Sequence, residues 1–201
     1  MEGVGLVGGA LTATMSIPQA VRIFRRKEAS GVSPSAFGGF AGVALSWVIY
    51  GIEIERWAVL VSNLVMFVTA ASVIVGLAVV RAPVRRAVGV LVGCIVLSVV
   101  LLSVSGPTAV GWWAVVLTGL IRLPQLLASG ADRVSGISAN AWIMVTAGNV
   151  LWLAYGIYFD DARITTGSVL ATVLGIAILV RTERSRRREA PESLEAARDE
   201  R

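Results

Sequence analysis

Two tryptophans inside long apolar stretches are the residues best suited to bind a small solute. Trp47 and Asn63 fall in consecutive apolar segments, which as antiparallel helices would bring both side chains to the same depth. The same geometry pairs Trp152 with Ser168. An indole plate beside an amide or a hydroxyl suits a ligand with apolar C–H faces and a rim of hydroxyl groups. Asn149 precedes Trp152 by three residues and shares its helix face, so we predict one binding pocket from these five residues.

These residues lie in a chain that is too apolar for a soluble domain. Of its 201 residues, 56% are hydrophobic and only 15% are charged. Stretches such as 57–80 are long enough, at about 1.5 Å per residue, to cross the roughly 30 Å hydrocarbon layer of a membrane. The sequence predicts seven such spans with short loops between them, near residues 3–24, 35–52, 57–80, 86–104, 108–128, 138–158 and 162–181.

Positive charges predict the orientation of the spans. The chain has a net charge of +5, and its arginines mostly follow the first, third, fifth and seventh spans. By the positive-inside rule, the N-terminus lies outside the cell membrane and the charged tail lies in the cytoplasm. Charges at helix ends, with no single basic face, argue against nucleic-acid binding. With no histidine and one cysteine, Cys94, the sequence predicts no metal or other cofactor.

A structural interpretation competes with the pocket prediction. Tryptophans also form belts at membrane interfaces, and an asparagine inside a lipid helix also hydrogen-bonds between helices. Trp47 and Trp152 lie deeper than the segment ends and are duplicated, which favours the pocket. Arg122, the one ionisable residue clearly inside a span, either extends to the cytoplasmic surface or meets an anionic part of a substrate.

Two Pro-Gln dipeptides mark matching weak points in two of the helices. Pro18 and Pro124 lack a backbone N–H and would each free the carbonyl group four residues earlier. Rocking between inward-open and outward-open states requires such a pair, although static kinks that only aid packing are also common. We predict these prolines as hinges, with Gln19 and Gln125 either satisfying the freed backbone groups or lining an inner gate.

Two tyrosines are predicted to form an outer gate. Tyr50 and Tyr155 follow the pocket tryptophans by three residues, toward the outside. Loop charges such as Arg56, Asp161 and Arg163 would either close over them in ion pairs or remain solvated.

Three sequence patterns occur twice in the same order. Ser-Ile-Pro-Gln at 16–19 recurs as Arg-Leu-Pro-Gln at 122–125, Ser-Gly-Val-Ser at 30–33 as Ser-Gly-Ile-Ser at 135–138, and Trp-x-x-Tyr-Gly at 47–51 recurs at 152–156. Chance similarity between apolar helices seldom reproduces all three. A three-helix unit ends on the side opposite its start, so the unmatched span near 86–104 would give both copies the same orientation.

The sequence therefore predicts an all-α membrane protein with seven transmembrane helices, arranged as two parallel three-helix bundles joined by an inversion-linker helix. We expect a first repeat at residues 1–82, the linker helix at 83–106, a second repeat at 107–181 and a charged cytoplasmic tail at 182–201. A pseudo-twofold axis along the membrane normal would place a pocket between the repeats, near the middle of the membrane.

The paired Pro-Gln motifs, the Ser-Gly-x-Ser loops and the 3+1+3 layout resemble the SWEET sugar facilitators and the wider PQ-loop family, over residues 3 to about 180. The resemblance implies a facilitator that moves small solutes, most often mono- or disaccharides, by alternating access. It also implies a sugar-pocket role for Trp47, Asn63 and Trp152. Ser168 departs from the family pattern, in which a second asparagine is common, and Asn149 would compensate for it.

Several functions fit these patterns. No Asp or Glu lies in the middle of a span, which favours a passive uniporter of a small neutral sugar over a proton-driven carrier. The alternatives are a carrier of an amino acid or other small solute, and a receptor or assembly protein that does not transport. An enzyme is not predicted, because paired aspartates within spans and Ser-His arrangements are missing. Two repeats would complete a pore alone, and a homo-oligomer is compatible with the sequence.

Overall fold

The computed structural model describes residues 1–13, 16–29, 32–129 and 139–199. These ranges form eight helices, which are α1 (Glu2–Ala13), α2 (Ile17–Arg26), α3 (Pro34–Glu53), α4 (Trp57–Val79), α5 (Arg85–Leu120), α6 (Leu123–Ala128), α7 (Ala139–Tyr158) and α8 (Ala162–Asp199). Five stretches within them are long and apolar enough to cross a membrane, namely Pro34–Glu53, Trp57–Val79, Arg85–Leu127, Asn140–Tyr158 and Ala162–Ser185.

The longest of these stretches contains two membrane spans. The backbone of α5 leaves the helical conformation at Gly106, with φ 74° and ψ −173°, directly before Pro107. Only glycine adopts this conformation readily, and the following proline cannot continue the hydrogen bonding of the preceding helix. Residues 85–105 therefore form one spanning helix and residues 107–120 the start of the next.

The first and fifth predicted spans are each divided into two helices, close to the proline at which the sequence predicted a weak point. Helix α2 begins at Ile17, just before Pro18, and α6 begins at Leu123, just before Pro124. Each proline thus occupies the first turn of a new helix, where its missing N–H costs nothing. The predicted interruption is present in both copies, but it lies before each proline and not within a helix.

Each repeat folds as a separate three-helix bundle. In the first, α3 packs against α4, and α1 and α2 also pack against α4. In the second, α7 packs against α8, as do α5 and α6. The bundle cores contain corresponding residues, because Phe37 and Val73 occupy the first core, and Trp142 and Ile178 the second. The predicted fold class, with seven transmembrane helices in a 3+1+3 arrangement, is confirmed.

The linker helix, residues 85–105, packs against α3 of the first repeat through small residues. A side chain at Gly42 would collide with Cys94, and Ser46 Oγ lies 2.9 Å from Ser98 Oγ. The linker helix therefore packs as part of the first bundle. The sequence of the linker did not predict this contact.

Helix α3 begins with a side-chain cap. Ser33 Oγ accepts a hydrogen bond from the Ala36 amide at 3.4 Å, and Pro34 occupies the first helical position. Ser138, the matching residue of the second repeat, lies outside the described residues.

Candidate functional site

A cavity of about 100 Å³ lies between the two bundles, with room for several water molecules. All five residues predicted to form a pocket line it. Trp47 and Asn63 come from the first bundle, on α3 and α4, and Asn149, Trp152 and Ser168 come from the second, on α7 and α8. The structure thus brings the predicted residues together across the repeat interface.

The rest of the lining also consists largely of matched positions from the two repeats. Thr12 corresponds to Thr118, Val59 to Ile164 and Phe40 to Val145, each pair separated by the repeat spacing. A ligand in the cavity would therefore contact corresponding positions of both bundles.

Several polar atoms in the cavity are available to a ligand. Asn63 Nδ2 donates to the Val59 carbonyl at 2.8 Å and Asn149 Nδ2 to the Val145 carbonyl at 2.7 Å, both within their own helices. Neither amide bridges to another helix through these bonds, and each side-chain oxygen Oδ1 accepts none of the hydrogen bonds found among the described residues. Ser168 Oγ likewise takes part in none of the hydrogen bonds found among the described residues. The cavity therefore offers hydrogen-bond acceptors and a hydroxyl beside two indoles.

The indoles are held by neighbouring side chains. Trp47 Nε1 donates to Thr118 Oγ1 of the second repeat at 3.2 Å. The Trp47 ring meets the Tyr50 ring edge-on with centroids 5.7 Å apart, and Trp152 meets Tyr155 in the same way at 5.2 Å. Edge-to-face contacts fix the orientation of each indole.

Two hydrogen bonds join the bundles at one end of the cavity, which we call the tyrosine end. Tyr50 on α3 donates through its hydroxyl to Asp161 Oδ2 at 2.6 Å, and Tyr155 on α7 donates to Glu2 Oε1 at 2.8 Å. Both tyrosines are fully buried, in a cluster with Val59, Ile164 and neighbouring apolar residues. Each bond joins a tyrosine of one repeat to a carboxylate of the other.

Each of the two carboxylates also caps a helix of its own repeat, although the two residues come from different parts of the sequence. Asp161 Oδ1 accepts from the backbone amides of Arg163 and Ile164, at 2.9 and 3.1 Å, and so caps α8. In the first repeat Arg56 occupies the position that corresponds to Asp161 and makes no such cap. Glu2 replaces the missing carboxylate, since its Oε2 accepts from the Ala58 amide in the first turn of α4 at 2.7 Å.

Glu2 was not predicted from the sequence. One feature of the sequence pointed to a carboxylate from elsewhere in the chain. Position 56, which corresponds to Asp161, is an arginine, so the first repeat has no carboxylate of its own at this place. Arg56 instead places its guanidinium over the Phe159 ring of the second repeat, 3.8 Å from the centroid. Of the predicted loop ion pairs, the described residues contain Arg163 with Asp161, at 3.2 Å.

The electrostatics of Asp161 favour its charged form. Burial alone would raise the pKa of its carboxyl group, but hydrogen bonds from Tyr50, the Ile164 amide and Arg163 outweigh burial. The pKa of Asp161 therefore lies below its ordinary value of 3.8. The hydrogen-bonded carboxylate is present at neutral pH and is lost only as the pH falls through this lowered pKa.

At the opposite end, which we call the Pro-Gln end, each short helix stays with its own bundle. Helix α2 packs against α4 and α6 against α8, whereas α1, which runs from the tyrosine end to the cavity, packs against α7 of the other repeat. Beside the cavity, the backbones of Gly8 and Gly148 approach so closely that a Cβ on Gly148 would lie 2.7 Å from the Gly8 oxygen. The bundles are thus in contact at the tyrosine end and beside the cavity.

The Pro-Gln residues themselves are not among those that line the cavity. Gln19 Oε1 accepts from Arg22 at 2.9 Å, Gln125 is half-buried, and Pro124 is exposed. The residues that reach the cavity from this end are Ser16 and Arg122, which directly precede α2 and α6.

Two three-helix units of one orientation, each containing a Pro-Gln turn and facing the other across a cavity, define a membrane protein of the PQ-loop class. A family model described as the PQ loop repeat matches residues 1–52. The chain is 32% identical over 71 residues to the sugar transporter SemiSWEET of Escherichia coli, which covers 35% of this chain and 80% of that protein. It is 38% identical over 72 residues to an uncharacterized protein of Methanocaldococcus jannaschii, covering 35% of this chain and 77% of that protein.

A solved structure has the same fold over nearly the whole chain. It is the 3.7 Å resolution structure of a eukaryotic SWEET transporter, with a TM-score of 0.70 and 17% sequence identity, covering 91% of this chain and 95% of that one. The two curated relatives match a length close to that of one repeat, whereas this fold contains both repeats. The chain is an integral membrane protein that belongs to the SWEET and PQ-loop family.

Proposed function

We propose that this protein carries a small neutral sugar across the cell membrane, down its concentration gradient, by alternating access. The observation that supports this most directly is the placement of Trp47 and Trp152, from different bundles, on one cavity that also contains unengaged amide oxygens and a hydroxyl group. Indoles suit the apolar faces of a sugar ring, and the acceptors suit its hydroxyl groups. The small cavity favours a monosaccharide over a disaccharide.

The charge distribution supports an orientation for this transport. Arginines concentrate in the loops at the Pro-Gln end and in the tail after α8, so the tyrosine end faces the outside and the Pro-Gln end the cytoplasm. With the bundles joined at the tyrosine end, this conformation corresponds to the state closed to the outside. The helix breaks before Pro18 and Pro124 are the hinges in this proposal, and they allow α2 and α6 to move relative to α1 and α5.

The outer gate consists of the two tyrosine–carboxylate hydrogen bonds. Tyr50 with Asp161 and Tyr155 with Glu2 hold the bundles together in the closed state, and both bonds must break before the tyrosine end opens. Because each carboxylate also caps a helix of its own bundle, its position is fixed before the tyrosine meets it.

Transport without proton coupling is expected from the cavity lining. In the described part of the chain, no Asp or Glu lines the cavity, which supports transport without a proton relay. The gate carboxylate Asp161 remains ionised well below neutral pH because its pKa is lowered. Glucose exchange by the purified protein should therefore vary little between about pH 5 and about pH 8. Exchange that rises or falls steeply with pH in this range would contradict this prediction.

Counterflow in liposomes tests the function. Purified protein in liposomes preloaded with unlabelled glucose should accumulate labelled glucose from outside, faster than it accumulates labelled sucrose in the matched sucrose experiment. Liposomes without protein provide the background. Flux of amino acids without flux of sugars would show that the protein carries another small solute and not a sugar. No flux with either class would reject transport and favour a receptor or assembly role.

A further inference from the structure

Arg122 is the one charged side chain among the described residues that line the cavity. It lies in the turn between α5 and α6, and its Nη1 donates to the Thr118 carbonyl at 2.9 Å. Its Nε is buried and has no hydrogen-bond partner. The ion pair found among the described residues joins Arg163 to Asp161, so no carboxylate in that part of the chain neutralises Arg122.

The fold does not require a cation at this position. Ser16 occupies the corresponding place in the first repeat, directly before its own Pro-Gln helix, and it lines the same cavity. The first repeat thus forms the same turn with a small neutral side chain. The positive charge is specific to the second repeat.

Only some of the hydrogen-bond donors of the Arg122 guanidinium are paired in these surroundings. Taking a charge out of water is costly unless it is paired, and an arginine carries five N–H donors in a fork that matches a carboxylate. The cavity walls are mostly apolar and offer neutral amide and hydroxyl groups. An anionic group on the ligand would supply the missing partner.

Arg122 is also close to the indole of Trp47. Trp47 Nε1 and Arg122 Nη1 both donate to Thr118, the first to Oγ1 and the second to the backbone oxygen. A ligand that stacks its ring on the indole would therefore lie close to Thr118, whose backbone oxygen accepts from the guanidinium. One molecule with a hydroxylated ring and an attached anionic group would contact both.

We propose that the cavity binds a monosaccharide that carries a carboxylate, a sugar acid, more tightly than the neutral sugar of the same shape. The carboxylate pairs with Arg122 and the ring lies at Trp47. The proposal rests on the sugar-transport function proposed above and adds a charge preference to it. One guanidinium matches the single charge of a carboxylate, whereas a phosphate carries about −1.5 to −2 near neutral pH and would leave charge unpaired.

Competition against glucose counterflow tests the proposal. D-glucuronate and D-glucuronamide have nearly the same shape and differ in charge, because the carboxylic acid is ionised at neutral pH. In the unaltered protein, glucuronate should inhibit at a concentration at least about tenfold lower than glucuronamide, as expected for hydrogen bonds to a charged group. Arg122→Ser, which copies Ser16, should abolish this difference, and Arg122→Lys should retain part of it.

Controls separate the cavity charge from other effects. Arg86→Ser removes an equal charge at an exposed position at the start of α5 and should leave the preference intact. Thermal unfolding of each detergent-solubilised variant shows whether it is folded. Equal inhibition by the two compounds, or a preference that persists in Arg122→Ser, would overturn the proposal. The Arg122 guanidinium would then be hydrated at the Pro-Gln end and would not bind the ligand.

A binding measurement distinguishes failure of this proposal from failure of the transport function. Glucuronate should raise the unfolding temperature of the solubilised protein more than glucuronamide does, and Arg122→Ser should remove the difference. If glucose exchange is absent while this difference is present, transport fails and the anion site stands. If exchange is present without the difference, transport stands and the anion site fails.

Discussion

Replacing either Trp47 or Trp152 by alanine should lower glucose exchange at least about tenfold. Each indole supplies one large apolar face of the cavity, and removing a buried aromatic contact at the centre of a binding site typically costs about 2 kcal/mol or more. The two tryptophans correspond under the repeat, so we expect losses of similar size. Counterflow of labelled glucose in liposomes measures both.

Two further substitutions determine whether the ring itself matters. Trp47→Phe keeps an aromatic face but loses the hydrogen bond to Thr118, so we expect it to retain most of the exchange. Trp57→Ala is the matched control, because Trp57 is 70% exposed at the start of α4 and does not line the cavity. Exchange within about twofold of the unaltered protein in Trp47→Ala and Trp152→Ala would place the sugar elsewhere.

Neutralising both gate carboxylates should open the tyrosine end. In the double variant Glu2→Gln, Asp161→Asn, each tyrosine loses a charged acceptor, and each helix cap is weakened. Hydrogen bonds to ionised groups are roughly twice as strong as neutral ones, so two weakened bonds should raise the open population about tenfold or more. Each single variant should have a smaller effect than the double variant.

A buried cysteine reports this opening. Val59 is 1% exposed and lies between the tyrosine end and the cavity, so a Val59→Cys, Cys94→Ser background provides one reactive thiol. An impermeant thiol reagent, added on the side that the tyrosine end faces, should label the double variant about tenfold faster than this background alone.

Neutral substitutions of unengaged carboxylates provide the controls. Asp160→Asn and Glu53→Gln alter exposed carboxylates at the same end and should leave labelling unchanged. An unchanged rate in the double variant, or an equal increase in these controls, would show that the two hydrogen bonds do not hold the end closed.

The fold and the cavity lining were predictable because they depend on the repeat. Once Trp47 and Trp152 are seen as equivalent positions on helices of known direction, their depth and their shared interface follow from helical geometry. The lengths of the apolar stretches predicted the spans for the same reason. The break at Gly106 lies at the end of the predicted linker, where a glycine precedes a proline.

Features that depend on contacts between distant segments were not predictable. Glu2 meets Tyr155 and Ala58, and no local pattern relates residues so far apart in the chain. The attachment of the linker to α3 depends on small residues on both helices, which only packing reveals. Gln19 was expected either to satisfy freed backbone groups or to line an inner gate, and the contact of its side chain with Arg22, one helical turn away, was not predicted.

Protection of a cysteine inside the cavity tests most directly whether sugar passes between the two bundles. Ser168→Cys changes one atom of a residue that lines the cavity, and Cys94→Ser removes the other thiol. We expect glucose to slow the labelling of this cysteine at the concentrations that half-saturate glucose exchange by the same variant. Labelling that is unaffected by glucose while exchange continues would show that the sugar takes another route.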